Sequence, residues 1–455
     1  MKNVKKRWEL FPFYDHSGME KQLERMAAKG WLLEKLTNRA WVYRRAEPVK
    51  RHYAVTYYPK ASAFDPEPQE GELTYRDYGE RGGWHFVCSS AQLQVFCSEA
   101  EDPVPMETDP LSELQGIRRV ARKLLPVYAV LSVPALLGIA FSAADAVRDP
   151  IGFLADPVKQ AALLGWLLLL ALCAVELCGY FSWRRKAQRA AECGAFPETR
   201  CCLPVRRLLM IAAVLAAVFC MIGAASSGNR RVTAAYGLAV LLAVTLMTAV
   251  RAVSLLLKSK KASRGVNLTV TLAADILLTL ALLAGCACCL RKAGDAGLFD
   301  PKAREEESGE ASILYRKELP LSVRDLSETD NGSFRTDRQS SGSLLLGRLA
   351  VQQRPEEAQT DRVLMYTLTL VKRPGLYDFC RNSLLRSFEK EGTGLREVDA
   401  APWGAEEAYA AERQAGELYR YLLCYEDRFL VISFGREPAE VQKTTVMRKL
   451  GGKSY

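Results

Sequence analysis

The chain has 455 residues, 49% of them hydrophobic, and carries a formal net charge of +10. This length is sufficient for a membrane bundle flanked by two folded domains. The positive charge does not indicate nucleic-acid binding, because the basic residues crowd the ends of apolar stretches, where they act as orientation signals.

An internal repeat organises residues 1–110. The dipeptides Gly30-Trp31 and Gly83-Trp84 are separated by 53 residues, and the strand-like segments that follow them keep the same offset. Each Gly-Trp closes a predicted helix, since glycine is favoured in the left-handed conformation at a helix end. Two copies cannot form a solenoid, which needs three or more. We therefore predict one cytoplasmic α+β domain built from two modules.

Each module is predicted to contain a strand, a helix and two further strands joined by a tight turn. In the first module the leading strand, helix and turn are expected at about 7–13, 19–29 and 37–38. In the second module they are expected at about 52–58, 70–81 and 89–90.

The motifs of this region are mostly apolar and glycine positions followed by membrane spans. They are Trp8, Phe11-Pro12, Asp15, Met19-Glu20, Leu23, Met26-Ala27, Lys29-Gly30-Trp31, Tyr53, Val55, Gly83-Trp84 and Val95-Phe96. With these motifs the chain resembles the bacterial membrane protein family called domain of unknown function twenty-eight-twelve. The resemblance covers residues 1 to about 110 and implies a PadR-type transcriptional regulator encoded nearby as a partner. It implies no catalytic residue, because the family has no established activity.

The doubled order of strand, helix, strand and strand is also similar to that of gyrase-inhibitor-like effector domains, in which two modules cup a small molecule. This second resemblance is one of topology alone, which does not establish function. It implies a cleft for an apolar or cationic ligand. The aromatic residues expected to line it are Trp8, Trp31, Trp41, Tyr57 and Trp84. The alternative is that these side chains fill a small core.

Five apolar stretches follow, after a basic juxtamembrane segment at 111–123. They lie at about 124–142, 161–181, 208–226, 235–257 and 268–290. Each is close to the ~20 apolar residues that a helix needs to cross a bilayer. They are apolar all round, whereas buried helices of a soluble protein would show an amphipathic pattern. The sequence therefore predicts a bundle of five transmembrane helices.

Lysine and arginine alternate between abundant and scarce from one loop to the next. They are abundant before the first span, after the second and after the fourth, and scarce after the first and third. The positive-inside rule then predicts a multi-pass cell membrane protein with a cytoplasmic N-terminus and an extracytoplasmic C-terminus. The third span carries Ala212, Ala213, Ala216 and Ala217, which permit either a homodimer contact or packing within one chain.

Three ionisable residues interrupt the apolar spans: Glu176, Arg251 and Asp275. The predicted topology places them at one depth, and a charge at mid-bilayer costs at least ~2.5 kcal/mol. We expect Arg251 to bridge both carboxylates in an intramembrane charge cluster. The functional interpretation is a proton- or conformation-sensitive latch. The structural interpretation, which the sequence favours, is a static pin or snorkelling near the interface.

The polar region after the last span is predicted as a linker and mobile loop over 291–342, followed by an extracytoplasmic α+β domain over 343–455. Strands are expected near 344–352, 363–371, 417–425 and 429–434, with helices at 376–390 and 438–450. Cys380 and Cys424 are the cysteines of this domain. They fit either a disulfide or two buried thiols.

No nucleophile-and-base arrangement, metal-ligand cluster or phosphate loop emerges from the sequence, so we expect no enzyme, no metal and no cofactor. The favoured function is a membrane sensor or signalling adaptor that couples the two folded ends across the lipid bilayer. Its alternative is a transporter component or accessory subunit that uses the charge cluster. Expected partners are the PadR-type regulator or another membrane protein, and a second copy of the chain, without direct binding of nucleic acid.

Overall fold

The computed structural model describes residues 3–9, 11–37, 40–195, 203–226, 230–295, 319–326, 334–355, 362–390, 394–412 and 418–451. The chain divides into two compact units. Unit 1 comprises Met1–Gly138, Gly165–Leu215 and Leu241–Gly285, and unit 2 comprises Ile139–Leu164, Ala216–Val240 and Cys286–Tyr455.

Unit 1 begins with two modules of the same topology. The first consists of β1 (Val4–Arg7), α1 (His16–Ala27), β2 (Trp31–Leu36) and β3 (Trp41–Arg45). The second consists of β4 (His52–Tyr57), α2 (Glu70–Arg81), β5 (His85–Ser90) and β6 (Leu93–Ser98). Each forms a three-stranded antiparallel sheet with the third strand in the centre, in the orders β1-β3-β2 and β4-β6-β5.

The two modules also share local backbone geometry at the predicted offset. Gly30 and Gly83 have φ angles of 77° and 82°, a left-handed conformation that glycine adopts without a steric penalty. A bulge interrupts β2 between Leu33 and Lys35, and a second one interrupts β5 53 residues later, between Phe86 and Cys88. A bulge bends and twists its strand, so both hairpins acquire the same curvature.

One hydrophobic core joins the modules. It combines buried side chains of the first module, among them Leu23, Met26 and Tyr43, with Val55 and Val95 of the second. The helix α1 therefore packs its apolar face on strands of both modules. This shared core fixes α1 beside β4.

Two details of the first 100 residues differ from the sequence prediction. The leading strand lies at Val4–Arg7 and not at 7–13. The second hairpin turns at Ala91 and Gln92 and not at residues 89–90, because β5 extends through Ser90, which pairs with Leu93. Ala91 carries the left-handed turn conformation, with a φ angle of 52°.

Long helices follow. They are α3 (Pro110–Arg148), α5 (Pro157–Glu192), α6 (Leu203–Ser226), α7 (Arg230–Ser259) and α8 (Arg264–Asp295), with the short α4 (Pro150–Ala155) between the first two. Within the described part of the chain, three are long and apolar enough to cross a membrane: α3, α5 and Arg264–Cys289 of α8. Their outer faces expose large apolar side chains, such as Phe141 and Leu277 at 75% and 67%.

A seven-stranded antiparallel sheet dominates unit 2, in the order β10-β11-β12-β13-β9-β8-β7. Its strands are β7 (Phe334–Gly342), β8 (Leu346–Pro355), β9 (Leu364–Val371), β10 (Leu395–Glu397), β11 (Glu407–Ala411), β12 (Tyr419–Cys424) and β13 (Arg428–Phe434). Its helices are α9 (Val323–Leu326), α10 (Tyr377–Lys390) and α11 (Glu440–Val446). Residues 334–342, predicted as part of a mobile loop, form an edge strand because they pair along their whole length with β8.

Both faces of this sheet are covered. One face packs against Trp403 and Val446, the latter on α11. The other packs against Phe388 of α10 and Ile151 of α4. The short helix α4, which lies between the first two long helices, is therefore part of the same core as the C-terminal sheet.

Polar contacts hold α4 in place. Asp149 caps it by accepting a hydrogen bond from the Gly152 amide at 2.9 Å, and the same carboxylate pairs with Arg348 of β8 at 2.6 Å. The Ser343 hydroxyl donates to the Leu154 carbonyl at 2.6 Å. These contacts attach the loop between α3 and α5 to the C-terminal sheet.

Cys380 and Cys424 are both free thiols and fully buried in the core that α10 forms with the sheet. Of the two alternatives that the sequence leaves open, the structure has the pair of buried thiols. Burial in apolar surroundings raises the pKa of the Cys380 thiol to about 11 and that of Cys424 to about 12. Both side chains therefore act as small apolar packing residues.

Candidate functional site: an acidic cleft in the N-terminal modules

A cleft of about 400 Å³ lies in unit 1 between α1, β4, the segment 102–107 and the first turns of α3. Its volume lies within the range typical of small-molecule sites. Five carboxylates line it: Glu20, Glu24, Asp102, Glu107 and Glu113. The basic groups on its wall are His16, Lys21 and His52.

The regular spacing of α1 supplies the first wall of the cleft. His16, Glu20 and Glu24 lie four residues apart and therefore share one face of the helix. Because α1 packs beside β4, this face meets the strand, and the Glu20 carboxylate accepts a hydrogen bond from the Val55 amide at 2.8 Å. Glu20 is thereby fixed at the edge of the second module.

The start of α3 supplies the opposite wall. Asp109 caps this helix by accepting hydrogen bonds from the amides of Leu111 and Ser112, both at 3.1 Å, and Pro110 is favoured directly after such a cap. The cap places Glu113 in the first turn of α3. There its carboxylate pairs with His16 Nε2 at 2.6 Å.

The His16–Glu113 pair leaves two polar atoms without partners. His16 Nδ1 and Glu113 Oε2 are buried and have no hydrogen-bond partner in the structure. Buried polar atoms are nearly always satisfied by protein or water, and an exception needs an explanation. Both atoms belong to residues that line the cleft.

Burial shifts the protonation equilibria of the cleft. It raises the pKa of Glu20 to about 7, against the opposing effect of His16. It also raises the pKa of Glu107, as does the neighbouring Glu113 carboxylate. Burial opposes the charge on His16, but the hydrogen bond and charge of Glu113 outweigh it, so the pKa of His16 is raised as well.

Two of the five predicted aromatic residues line the cleft. Trp84 is buried, and its indole nitrogen donates to the Val104 carbonyl at 2.8 Å, which fixes the ring. The Tyr57 hydroxyl donates to the Phe13 carbonyl. Both residues line the cavity.

The other three aromatic residues lie elsewhere, which corrects the predicted lining. Trp8 is 73% exposed. Trp31 lies against the cations of Lys5 and Arg45, with ring-centroid distances of 5.1 and 5.9 Å. Trp41 is a core residue, which is the alternative that the sequence left open.

The predicted charge cluster is not assembled in this structure. Glu176 is almost fully buried, but it pairs with Arg206 of α6 at 2.9 Å and not with Arg251. Within the described residues, Arg251 and Asp275 have no ion pair. The physical reason is that the Arg206 guanidinium of α6 occupies the position beside Glu176 that was expected for Arg251.

The neighbouring arginine connects the same helix to the N-terminal modules. Arg207 pairs at 3.3 Å with Glu9, whose side chain is fully buried. Glu9 also pairs with Arg7 at 3.1 Å and accepts a hydrogen bond from Gln22 at 3.1 Å. Consecutive arginines at the start of α6 therefore bind a carboxylate of a long apolar helix and a carboxylate of the first module.

Aromatic packing strengthens this attachment. Tyr14, next to the cap of α1, packs against Tyr180 and Trp183 of α5, with ring centroids 6.0 and 5.6 Å apart. Leu114 and Ile117 of α3 belong to the same buried cluster. The second module is attached through the Asn267 side chain of α8, which is fully buried and donates to a backbone carbonyl at 3.0 Å.

The fold and site define a protein with membrane-length apolar helices, two strand-rich regions and an acidic cleft at the start of the first long helix. Residues 15–129 match the model of the family described as "Protein of unknown function (DUF2812)". This confirms the family resemblance, and the matched segment contains every residue that lines the cleft. Neither the search of curated proteins nor that of solved structures gave a match.

Proposed function

We propose that this protein is a membrane sensor or signalling adaptor whose N-terminal modules bind a small molecule in the acidic cleft. The observation that carries the proposal is the dual role of α3. Glu113, Gly116 and Ile117 of its first turns line the cleft, and the same continuous helix contains a stretch apolar enough to cross a membrane. A ligand in the cleft therefore touches a membrane helix directly.

The His16–Glu113 pair is the contact through which occupancy reaches α3. A ligand that draws Glu113 or His16 toward itself weakens the ion pair that joins α1 to the start of α3. Coupling requires that α3 has two arrangements, one with the His16–Glu113 pair intact and one with it weakened, and that the ligand binds one of them more tightly. A ligand shifts a conformational equilibrium only by its differential affinity for the two states.

The proposal includes five crossings, with the N-terminus in the cytoplasm and the C-terminal sheet outside. The alternation of basic loops supports this orientation. The division of the five long helices between the two units supports it as well. Along the chain, α3, α6 and α8 pass from unit 1 to unit 2, whereas α5 and α7 pass from unit 2 to unit 1. The contacts of α4 with the C-terminal sheet support the proposal that the first loop and the C-terminal sheet lie on the same side of the membrane.

Filling the cleft by mutation tests the coupling. Gly116 lines the cavity, and a Cβ there would meet no heavy atom within 4 Å, so Gly116→Phe occupies the space that a ligand would use. Leu111→Phe, at an exposed position of the same helix, is the matched control. Both full-length variants are reconstituted in lipid nanodiscs, and hydrogen exchange is measured along the chain.

We expect Gly116→Phe to change exchange protection in α4 and in the C-terminal strands, and Leu111→Phe to leave it unchanged. Altered protection confined to the N-terminal modules in Gly116→Phe would refute the coupling and leave a ligand-binding domain without a signalling role.

The structure favours this proposal over a transporter component. The transport interpretation depends on a carboxylate free to exchange protons or ions, whereas Glu176 is held in a nearly buried ion pair by Arg206. Such a pair fixes neighbouring helices, because separating it would leave an uncompensated buried charge. We accordingly propose a binding protein and no catalytic activity.

A further inference from the structure

We infer that the cleft binds a small organic cation with a flat apolar body, held by the Glu20 carboxylate and stacked near Trp84. The inference rests on the proposed ligand-binding role of this cleft and specifies the chemical class of its ligand. It follows from the balance of charge, from the unsatisfied buried atoms and from the shape of the cavity.

The charges that face the cavity are predominantly acidic. Five carboxylates face one lysine and two histidines, and both histidines already interact with carboxylates. His16 pairs with Glu113 at 2.6 Å, and His52 lies 3.5 Å from Glu24. A cation entering the cleft therefore meets carboxylates that the protein itself does not neutralise, whereas an anion would meet repulsion.

Two carboxylates are arranged to accept a further partner. Glu20 receives a backbone hydrogen bond from Val55, which fixes one oxygen and leaves the second for a ligand. Glu113 Oε2 is buried without any hydrogen-bond partner. A bound cation would compensate the charge of such a carboxylate by direct ion pairing, which is stronger in partly buried surroundings than in water.

The size and lining of the cavity favour an organic cation over a metal ion. A volume of about 400 Å³ exceeds what a single ion needs. In the described part of the chain, no group of three or more histidine, cysteine or acidic side chains is placed to hold a metal. Tyr57 and Trp84 among the lining residues favour an aromatic cation, because aromatic rings attract positive charge.

Three probes that share one bicyclic ring and differ in charge test the inference. They are 1-methylquinolinium, a cation, 1-methyl-2-quinolone, which is neutral, and quinoline-2-carboxylate, an anion. Calorimetric titration uses the full-length protein in phosphatidylcholine nanodiscs, with empty nanodiscs as the blank. Glu20→Gln removes the proposed charge, and Glu80→Gln makes the same change at an exposed position of α2 outside the cleft.

We expect the cation to bind at least tenfold more tightly than the neutral probe, a difference of about 1.4 kcal/mol. At pH 8, where Glu20 with its pKa of about 7 is mostly ionised, Glu20→Gln should abolish most of this preference while leaving the affinity for the neutral probe unchanged, and Glu80→Gln should have no effect. Glu107→Gln, which also removes a carboxylate from the cleft, should reduce the preference if Glu20→Gln fails to fold.

Each outcome decides between the two proposals. Equal affinity for the cationic and neutral probes, or tighter binding of the anion, overturns the cation inference and leaves the ligand-binding proposal standing. A cation preference that survives Glu20→Gln removes Glu20 from the site. If none of the three probes binds, the cation inference fails, and the proposed sensor loses its binding site as well.

Discussion

Neutralising Glu20 should stabilise the protein at alkaline pH. The pKa of Glu20 is raised to about 7 in the fold from an ordinary value of 4.5, because burial disfavours its charged form. A group with a raised folded-state pKa contributes stability that is present below its unfolded pKa and is lost as the pH rises through its folded pKa. For Glu20 this loss occurs between about pH 4.5 and pH 7.

The magnitude follows from the size of the shift. One pKa unit corresponds to about 1.4 kcal/mol, so full ionisation of Glu20 costs the fold up to about 3 kcal/mol. The side chain of glutamine keeps the oxygen that accepts from the Val55 amide, so Glu20→Gln removes the charge and retains this hydrogen bond. We expect a gain of about 1 to 3 kcal/mol at pH 8 and almost none at pH 5.

Other titratable groups also face the cleft. They are His16, Lys21 and Glu24 of α1, His52, Tyr53 and Tyr57 of β4, Asp102 and Glu107 of the following segment, and Glu113 of α3. His16 has a raised pKa, so its contribution to stability also falls as the pH rises. Its attraction to ionised Glu20 offsets part of the burial cost, which is why the lower end of the range is included.

Thermal unfolding of the full-length protein in detergent, followed by tryptophan fluorescence, measures the effect. A gain of this size should raise the melting temperature by ~1 to 3 °C at pH 8, because the entropy of unfolding grows with the length of the chain. Glu80→Gln is the control and should leave the pH dependence of the melting temperature unchanged. A Glu20→Gln protein that melts at a lower temperature than the wild type, by the same amount at pH 5 and pH 8, would refute the reasoning.

Three further predictions concern the frame around the site. Gly30→Ala should lower the free energy of unfolding in urea more than Gly83→Ala. Both residues have a positive φ, but only at residue 30 would a Cβ clash with a backbone carbonyl oxygen, that of Ala46 at 2.7 Å. Equal losses in the two variants would contradict this. Glu176→Leu should lower stability in detergent by up to about 3 kcal/mol, since it leaves the partly buried Arg206 guanidinium unpaired, and an unchanged melting temperature would exclude a structural pin. Cys380 and Cys424 should react with maleimide only after denaturation, and no reductant should be needed. A requirement for reductant would indicate a disulfide.

The repeat was the most predictable part of the fold. The Gly-Trp dipeptides placed both left-handed glycines, and the predicted helix at 70–81 matches α2. Periodicity succeeds here because each element buries one face on a shared core. The edge strand β7 was missed because its residues are polar, and only pairing with β8 specifies its conformation.

The site was less predictable than the fold. The aromatic residues drew attention to the correct domain, yet three of the five lie outside the cleft. The spacing of His16, Glu20 and Glu24 was a readable signal for an acidic helix face. No local pattern indicates that Glu107 and Glu113 meet this face, since they are far away along the chain and the cap at Asp109 positions them.

The two modules share their topology, their bulges and their glycine geometry, but only the helix of the first module presents a row of ionisable side chains to the cleft. At the offset of 53 residues, the positions of His16, Glu20 and Glu24 correspond to Gln69, Leu73 and Asp77 of the second module. Two of the three equivalent side chains are therefore uncharged. The duplicated architecture is therefore chemically asymmetric, and if the cleft binds a ligand as proposed, this asymmetry predicts one bound molecule per chain.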